Sequence, residues 1–212
     1  AGIAAFGTGA ISWSYFWGKV VLMIFLTPAV SFVLGFLILK LLLALTLHAG
    51  VGVNKFFTYA QWLNMTFLAF NHSFNDSQKS IGIVLILMGI YGGAEASIPI
   101  WAIVCAALCL SCGIAFGGFK IIKTVGTGIY KVQPIHSFAS QLTAGTVILT
   151  SSLLGAPDPQ IVSSSIMGVG AAERYKAVRW NVAGKILLSW FITIPIAGSL
   201  GALLFFLFSV IY

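Results

Sequence analysis

The stretch that decides the fold is N-H-S-F-N-D-S-Q-K-S-I-G, residues 71 to 82. It places Asn75, Asp76 and Lys79, together with three serines, between two strongly apolar runs. Asp76 is one of only four acidic residues in the chain of 212. Because a charged group is costly in hydrocarbon, a polar cluster between apolar segments predicts a functional site. A hydrophilic loop that joins two helices in water is the alternative interpretation.

The composition around this stretch is that of a membrane protein. Hydrophobic residues make up 59% of the chain and charged residues 7%, and apolar runs near the roughly 20 residues that cross a bilayer recur along it. These runs do not alternate with a period of two, so an all-α, polytopic membrane protein is predicted rather than a β-barrel. The net charge of +7 comes from Lys and Arg between apolar segments, which indicates cytoplasmic loops rather than a nucleic-acid surface.

Several apolar segments are interrupted in ways that predict broken and re-entrant helices. Residues 136–155 and 160–172 are rich in Ser and Thr, and the strong turn signal G-A-P-D-P separates them. Two such pieces predict a hairpin that enters and leaves the membrane by one face, which requires that its backbone be buried in protein or line a wet cavity. Ordinary spans are expected over about 18–48, 99–116 and 181–212, and a basic amphipathic segment over 117–134.

The two ends of the chain carry an internal repeat. A tryptophan, a Gly-Lys pair and a proline recur at the same spacing: Trp13, Gly18, Lys19 and Pro28, then Trp180, Gly184, Lys185 and Pro195. The repeat predicts that residues 1–50 are the tail of one unit and that 56–212 are a complete second unit. The first unit would then lack about 110 residues before Ala1, if the units are equal in length. With the basic loops on one side, the two tails cross in opposite directions, as in inverted repeats.

The polar segments carry two helix-start patterns. Asn75-Asp76-Ser77 before an apolar run is an N-cap pattern, which predicts a half-helix that begins near Ser77. Asp158-Pro159 is a second such start. Helix N-termini attract anions, whereas the oxygens of Asp76, Asn75 and Gln141 are hard ligands of the kind that Na⁺ accepts. This chemistry predicts a symporter that binds an oxyanion and a cation.

At this point the residues resemble a known family. The run F-N-H-S-F-N-D-S-Q-K-S-I-G-I is similar to the signature of the inorganic phosphate transporter (low-affinity phosphate permease) family. Supporting stretches follow in the family's order: G-G-F-K-I-I-K-T-V-G, Q-L-T-A-G-T-V-I-L, S-I-M-G-V-G-A-A and A-V-R-W-N-V-A-G-K-I-L-L-S-W. The resemblance covers the whole chain as the C-terminal two-thirds of a bacterial-type member. It implies a multi-pass protein of the cell membrane, a homodimer, that imports inorganic phosphate with Na⁺ or H⁺ and holds no tightly bound cofactor.

The resemblance also implies the site. Phosphate is expected at Asn75, Asp76, Ser77, Ser163, Ser164 and Ser165, and Na⁺ at Asp76, Asn75 and Gln141. Roles for His72 and Lys79 stay open, because either side chain can serve its own helix instead. Thr143 and Thr146 are expected to bond to their own helix.

Three departures from the family pattern bear on that site. Ser73-Phe74 replaces a pair of small residues, so a bulky ring stands where backbone would approach a ligand. Pro157-Asp158-Pro159 replaces a longer element with hydroxyl groups. The first repeat's Asn-Asp motif is absent, so half of the expected site is missing.

Other interpretations remain open. Another oxyanion such as sulfate is possible, because backbone amides recognise charge and shape more than the element. A non-transporting fragment that pairs with another chain is a second alternative. An enzyme is not expected, since His48, His72 and His136 lie on separate segments without metal-ligand spacing. Three cysteines, Cys105, Cys109 and Cys112, share one helical face and are expected to pack against a neighbouring helix rather than to bind a metal.

Overall fold

The computed structural model describes residues 9, 12–48, 50, 52–92, 99–156 and 160–211, which form helices and turns without a β-strand. The long helices in these ranges are α1 (Leu22–Leu45), α2 (Gly52–Gly92), α3 (Ile100–Gly128), α4 (Pro134–Leu153), α5 (Ile161–Arg174) and α6 (Trp180–Ile211). A helical turn (Trp13–Tyr15) and a π-helical segment (Phe16–Val21) lead into α1, and a 3₁₀ turn (Tyr175–Ala177) follows α5. The all-α prediction is confirmed.

Three stretches of the described residues are long and apolar enough to cross a bilayer: Trp13–Leu45, Ile100–Gly118 and Trp180–Leu207. They coincide with the three ordinary spans predicted from hydropathy, and the chain is a membrane protein. The separate amphipathic segment predicted over 117–134 is wrong in its start. α3 runs on to Gly128 as one helix, because isolated glycines weaken a helix by only about 1 kcal/mol each and do not end it.

The polar cluster is where the fold departs most from the sequence prediction. α2 is continuous, and Asn75, Asp76 and Ser77 lie in its interior. Asp76 and Ser77 find partners on the same helix: Ser77 Oγ donates to the carbonyl of Phe74 at 2.9 Å, and Lys79 Nζ donates to Asp76 Oδ1 at 3.0 Å. At a helix start such side chains accept from free N–H groups, whereas inside a helix a serine hydroxyl can donate to a carbonyl three or four residues earlier. The predicted half-helix that begins near Ser77 is therefore wrong.

α4 and α5 pack against each other as an antiparallel hairpin. Their contact is apolar, around Ala144, Val147, Ile148 and Ile161. The hairpin itself agrees with the sequence prediction, and its re-entry into a membrane stays a prediction. The helix start predicted at Asp158-Pro159 lies outside the described residues; α5 begins at Ile161, after Gln160 in the left-handed conformation (φ 62°).

α1 and α5 run parallel with their backbones in contact. Ser31 Oγ donates to the carbonyl of Ile161 at 2.8 Å. One turn further along both helices, a Cβ atom on Gly35 would lie 2.8 Å from the carbonyl oxygen of Ser165. Small residues at a membrane helix interface allow this approach. Ser31 and Gly35 therefore let α5 pack directly against the candidate span Trp13–Leu45.

The two segments that the sequence repeat relates also contact each other. The ring centroids of Phe25 in α1 and Phe191 in α6 are 5.9 Å apart. Seven residues later in α1, Phe32 packs on the buried cluster that holds Ala183, eight residues earlier in α6. The opposite directions expected for inverted tails stay a prediction. Their origin as copies of one unit, and the division into 1–50 and 56–212, stay predictions.

Candidate functional site

Three buried asparagines of α2 bind α4. They are spaced seven and four residues apart, so they share one face of the helix. Their Nδ2 atoms donate to Phe138 O at 3.1 Å from Asn64, to Gly145 O at 3.4 Å from Asn71, and to Ser152 Oγ at 2.8 Å from Asn75. The acceptors advance along α4 as the donors advance along α2, so the two helices are parallel. We call this set the asparagine ladder.

Asn75 ends the ladder with an acceptor that has no partner. The residue is 4% exposed, and its Nδ2 group is used by Ser152. Its Oδ1 atom is buried without a hydrogen-bond partner among the described residues. A buried polar atom of this kind costs about 1–3 kcal/mol when nothing pairs with it. Asn75 Oδ1 is thus suited to accept a hydrogen bond from a ligand or to coordinate a cation.

Asn75 also lines a cavity of about 300 Å³. The cavity lies between the N-terminal helical region, α2 and the start of the hairpin turn, and its lining consists of Tyr15, Val20, Asn75, Gln78, Lys79, Gly155 and Ala156. Gly155 and Ala156 are held to the end of α4, because Gly155 N–H donates to Ser152 O at 3.1 Å and Ala156 N–H to Ser151 O at 2.8 Å. In the cavity these two residues face the polar residues of α2.

Asp76 is held beside this cavity by its neighbours on α2. Its Oδ1 atom accepts from Lys79 at 3.0 Å, and its Oδ2 atom lies 3.5 Å from His72 Nε2. Both pairs follow the i,i+3 and i,i+4 spacing of a helix surface. Asp76 is 28% exposed and its two partners are about half exposed. The carboxylate is thus oriented but still reachable, next to a lysine that lines the cavity.

The serines predicted to bind phosphate do not line the cavity of Asn75. Ser165 Oγ donates to Val162 O at 2.8 Å, and its backbone lies against α1. Ser164 lines a different cavity of about 280 Å³ with apolar walls that include Pro28 and Trp180. Ser163 is buried in α5, and Ser77 Oγ is bonded within α2. The structure therefore assembles only part of the predicted phosphate set.

Gln141 lies far along α4 from Asn75. Its Oε1 atom is buried without a hydrogen-bond partner among the described residues. It precedes Ser152, which Asn75 contacts, by eleven residues, or about 16 Å along the helix axis. Hard cations hold oxygen ligands at about 2.0–2.6 Å. The structure therefore does not bring Gln141 together with Asn75 and Asp76 around one Na⁺.

A second polar cluster lies at the other end of the hairpin, and the sequence did not point to it. His136, 1% exposed, accepts a hydrogen bond at Nδ1 from the backbone N–H of Gln133 at 3.1 Å, completing the N-terminal cap of α4. Its Nε2 atom lies 3.1 Å from Glu173 Oε2, without the alignment of a hydrogen bond, and Tyr130 donates to the same oxygen. Burial lowers the pKa of His136. The cluster joins the ends of α3, α4 and α5.

The described part of the chain contains no set of three or more His, Cys, Asp and Glu side chains that could hold a metal ion. Cys105, Cys109 and Cys112 are free and exposed on α3. The expectation that they pack against a neighbouring helix is wrong within this chain, because few residues of α3 are covered by other helices.

Comparison with known proteins shows the family to which the chain belongs. The profile of the "Phosphate transporter family" matches residues 46–201, which include Asn75, Asp76 and the whole hairpin. The chain belongs to this family. The resemblance drawn from the Asn-Asp signature is therefore confirmed. No solved structure matches the chain.

Curated family members are similar over nearly all of the chain. A "Probable low-affinity inorganic phosphate transporter" of Bacillus subtilis is 34% identical over 100% of this chain and 65% of its own length. Proteins of the same name from Rhizobium meliloti and Mycobacterium leprae are 31% and 30% identical, over 97% and 98% of this chain. They are named as transporters and not as enzymes. The chain spans 65%, 63% and 51% of the lengths of these three relatives.

The family match covers only part of the cavity wall. Asn75, Gln78 and Lys79 lie inside the matched residues, as do Gly155 and Ala156. Tyr15 and Val20 lie before them, in the region that leads into α1. That side of the wall therefore lies outside the part of the chain that the family profile matches.

Proposed function

We propose that the protein to which this chain belongs imports inorganic phosphate across the cell membrane, which it crosses several times. One observation carries the proposal: the Asn-Asp signature of a phosphate transporter family places a buried carboxamide, with an unpaired acceptor, in the wall of a cavity that also presents a lysine. The similar proteins from Bacillus subtilis and Rhizobium meliloti bear names that agree with this function.

Asn75 and Lys79 are the groups suited to the anion. An ammonium group supplies the positive charge that an oxyanion needs where it leaves bulk water. The unpaired Oδ1 atom of Asn75 can accept a hydrogen bond from the hydroxyl group of a hydrogen phosphate, a group that sulfate lacks at neutral pH. The same acceptor would face a sulfate oxygen unfavourably, because two acceptors would then meet without a proton between them. This favours phosphate over the alternative oxyanion.

A coupling cation belongs at Asp76 and Asn75 in this proposal. The carboxylate lies one residue from the cavity-lining carboxamide, so a cation held there would reduce the cost of bringing an anion close by. Symport with Na⁺ or H⁺ follows from such a pair of adjacent sites. Gln141 could coordinate the same cation only in another conformation of the transport cycle, in which it lies closer to Asn75 and Asp76. The predicted homodimer remains a proposal; the exposed apolar faces of α3 and α6 fit either lipid or a second copy.

The experiment is uptake of labelled phosphate by the full-length protein in proteoliposomes. Uptake is measured with an inward Na⁺ gradient, with an inward H⁺ gradient and with neither. Asn75→Ala and Asp76→Asn are expected to reduce uptake at least about tenfold, the loss for one strong hydrogen bond or charge. Asn54→Ala, at an exposed position of the same helix, is the control. Unchanged uptake by both site variants contradicts the site, and uptake of labelled sulfate instead of phosphate supports the alternative substrate.

A further inference from the structure

We propose that Lys19 recruits the anion to the cavity of Asn75, so that Lys19 and Lys79 form a two-lysine entrance for phosphate. The inference rests on the proposed function and adds to it a residue outside the span that the family profile matches. Lys19 lies in the π-helical segment Phe16–Val21, which forms one side of the cavity.

The ammonium group of Lys19 lies at the edge of the cavity. Its Nζ atom is 3.8 Å from the place a Cβ atom would take on Gly155, and 5.4 Å from the centroid of the Tyr15 ring. Gly155 and Tyr15 both line the cavity. Lys79 lines it from α2. The two lysines therefore approach one cavity from different elements of the fold.

The π-helical segment explains why both Tyr15 and Val20 line the cavity. A π-helix bonds residue i to residue i+5, so residues five apart come to lie on the same side. Tyr15 and Val20 are five apart and both line the cavity. In an α-helix the same two positions would point about 140° apart. The π-helical turn thus turns Tyr15, Val20 and the intervening Lys19 toward the hairpin, and such turns are frequent at functional sites.

Of the two lysines beside the cavity, Lys19 is the one whose positive charge is available to attract an anion. Lys79 is paired with Asp76 at 3.0 Å. For Lys19 the described part of the chain offers a tyrosine ring but no carboxylate partner. The amides of Gly155 and Ala156 donate to carbonyls of Ser152 and Ser151 in α4, so these two groups are not free to bind an anion. Among the described residues around the cavity, the positive charge that an entering anion meets is therefore that of Lys19.

The competing explanation is that Lys19 only extends its ammonium group to the membrane surface, as lysines near helix ends do. Lys40 provides the matched control, because it is exposed on the helix that follows and its ammonium group lies 5.9 Å from the ring centroid of Phe36. Phe36 does not line the cavity, whereas Tyr15 and Gly155, which lie beside the Lys19 ammonium group, both do. If Lys19 served only the membrane surface, Lys19→Gln would change the KM for phosphate no more than Lys40→Gln does.

The test uses the full-length protein and the variants Lys19→Gln, Lys19→Arg and Lys40→Gln in proteoliposomes. Lys19→Gln is expected to raise the KM for phosphate about tenfold at low ionic strength, with a smaller effect in high choline chloride, because salt screens a steering charge. Lys19→Arg keeps the charge and is expected to stay within about twofold of the wild type. A KM for Lys19→Gln equal to that of Lys40→Gln, at both salt concentrations, overturns the proposal.

A second readout separates this inference from the proposed function. Val20→Cys lines the cavity and leaves Lys19 in place. In a background where the other cysteines of the full-length protein are replaced by serine, it is labelled with a cationic thiol reagent in the presence of phosphate or chloride. Slower labelling with phosphate is expected, and Lys19→Gln in the same background should abolish the difference. If the wild type takes up no phosphate but the labelling is still slowed, the transport proposal fails and the anion entrance stands. If labelling is the same in phosphate and chloride, the entrance is refuted even where uptake is normal.

Discussion

Asn71 of α2 donates a hydrogen bond from Nδ2 to the backbone carbonyl oxygen of Gly145 in α4, at 3.4 Å. Around this bond the helices are close: a Cβ atom on Gly145 would lie 2.7 Å from the ring of Phe67. The polar bond and the absent side chain occur together because only a small residue lets a short carboxamide reach the neighbouring backbone. The next turn of the same interface holds Asn75, so the position of the candidate site depends on this register.

The asparagine ladder is expected to contribute measurable stability. Asn71→Ala removes a 2%-exposed side chain that reaches across the interface. The expected cost is about 1 kcal/mol, typical of a hydrogen bond between membrane helices. The midpoint of thermal unfolding in detergent should fall by roughly 2–4 °C. Asn54→Ala, exposed on the same helix, should leave it unchanged. Equal midpoints for the two variants would mean that Asn71 does not hold α2 to α4.

The contact of α1 with α5 is expected to tolerate no added methyl group at Gly168. A Cβ atom there would lie 2.0 Å from the carbonyl oxygen of Phe32, and backbone cannot move aside as a flexible side chain can. Gly168→Ala should cost about 3 kcal/mol and lower the unfolding midpoint by roughly 6–12 °C. Gly184→Ala is the control, because no atom lies within 4 Å of a Cβ atom at that helical position. A midpoint unaffected by Gly168→Ala would show that α1 and α5 are further apart than described.

The cluster at the base of the hairpin predicts a pH dependence of stability. Since burial lowers the pKa of His136 from its ordinary value of 6.5, folding favours the neutral ring. The groups facing it are the Glu173 carboxylate, the Tyr130 hydroxyl and the Gln133 amide. His136 lies in the first turn of α4, outside the three candidate spans. Its stabilising effect is present above pH 6.5 and is lost as pH falls through the lowered pKa, because a protonated Nδ1 cannot accept from Gln133.

The measurement is the unfolding midpoint between about pH 8 and pH 5, where His titrates and carboxylates largely do not. The wild type is expected to lose stability toward pH 5, whereas His136→Gln should be less stable at pH 8 and vary less with pH. His48→Gln, exposed at the end of the first span, should follow the wild-type curve. A His136→Gln curve parallel to that of the wild type would assign the pH dependence to other groups.

The sequence predicted the elements better than the site they build. Length and hydropathy are enough to locate α1, α3 and α6, and the turn signal near Gly155 is enough to locate the hairpin. The sequence did not predict the continuity of α2, because the residue types that accept from N–H groups at a helix start also find other partners inside a helix. In α2 the bond of Ser77 to Phe74 and the pairing of Asp76 with Lys79 remove the reason for a break.

The site was only partly predictable because ligands and packing residues share the same chemistry. Ser165 has the hydroxyl of a phosphate ligand, but its small size serves the contact with Gly35 instead. Gln141 has a suitable oxygen, but only the register of α4 against α2 shows that it is distant from Asn75. The asparagine ladder left a signal that was overlooked: Asn64, Asn71 and Asn75 fall on one helical face.

Ser152 is expected to position Asn75 for its ligand. It accepts the Asn75 Nδ2 bond at 2.8 Å, which directs the Oδ1 atom away from Ser152. Ser152→Ala frees the carboxamide to rotate and should lower phosphate uptake by roughly threefold to tenfold, the equivalent of one hydrogen bond. Ser151→Ala is the matched control: its hydroxyl bonds only to Ile148 of its own helix, and its backbone carbonyl still accepts from Ala156. Equal uptake by the two alanine variants in the same proteoliposome assay would show that Asn75 is oriented without Ser152.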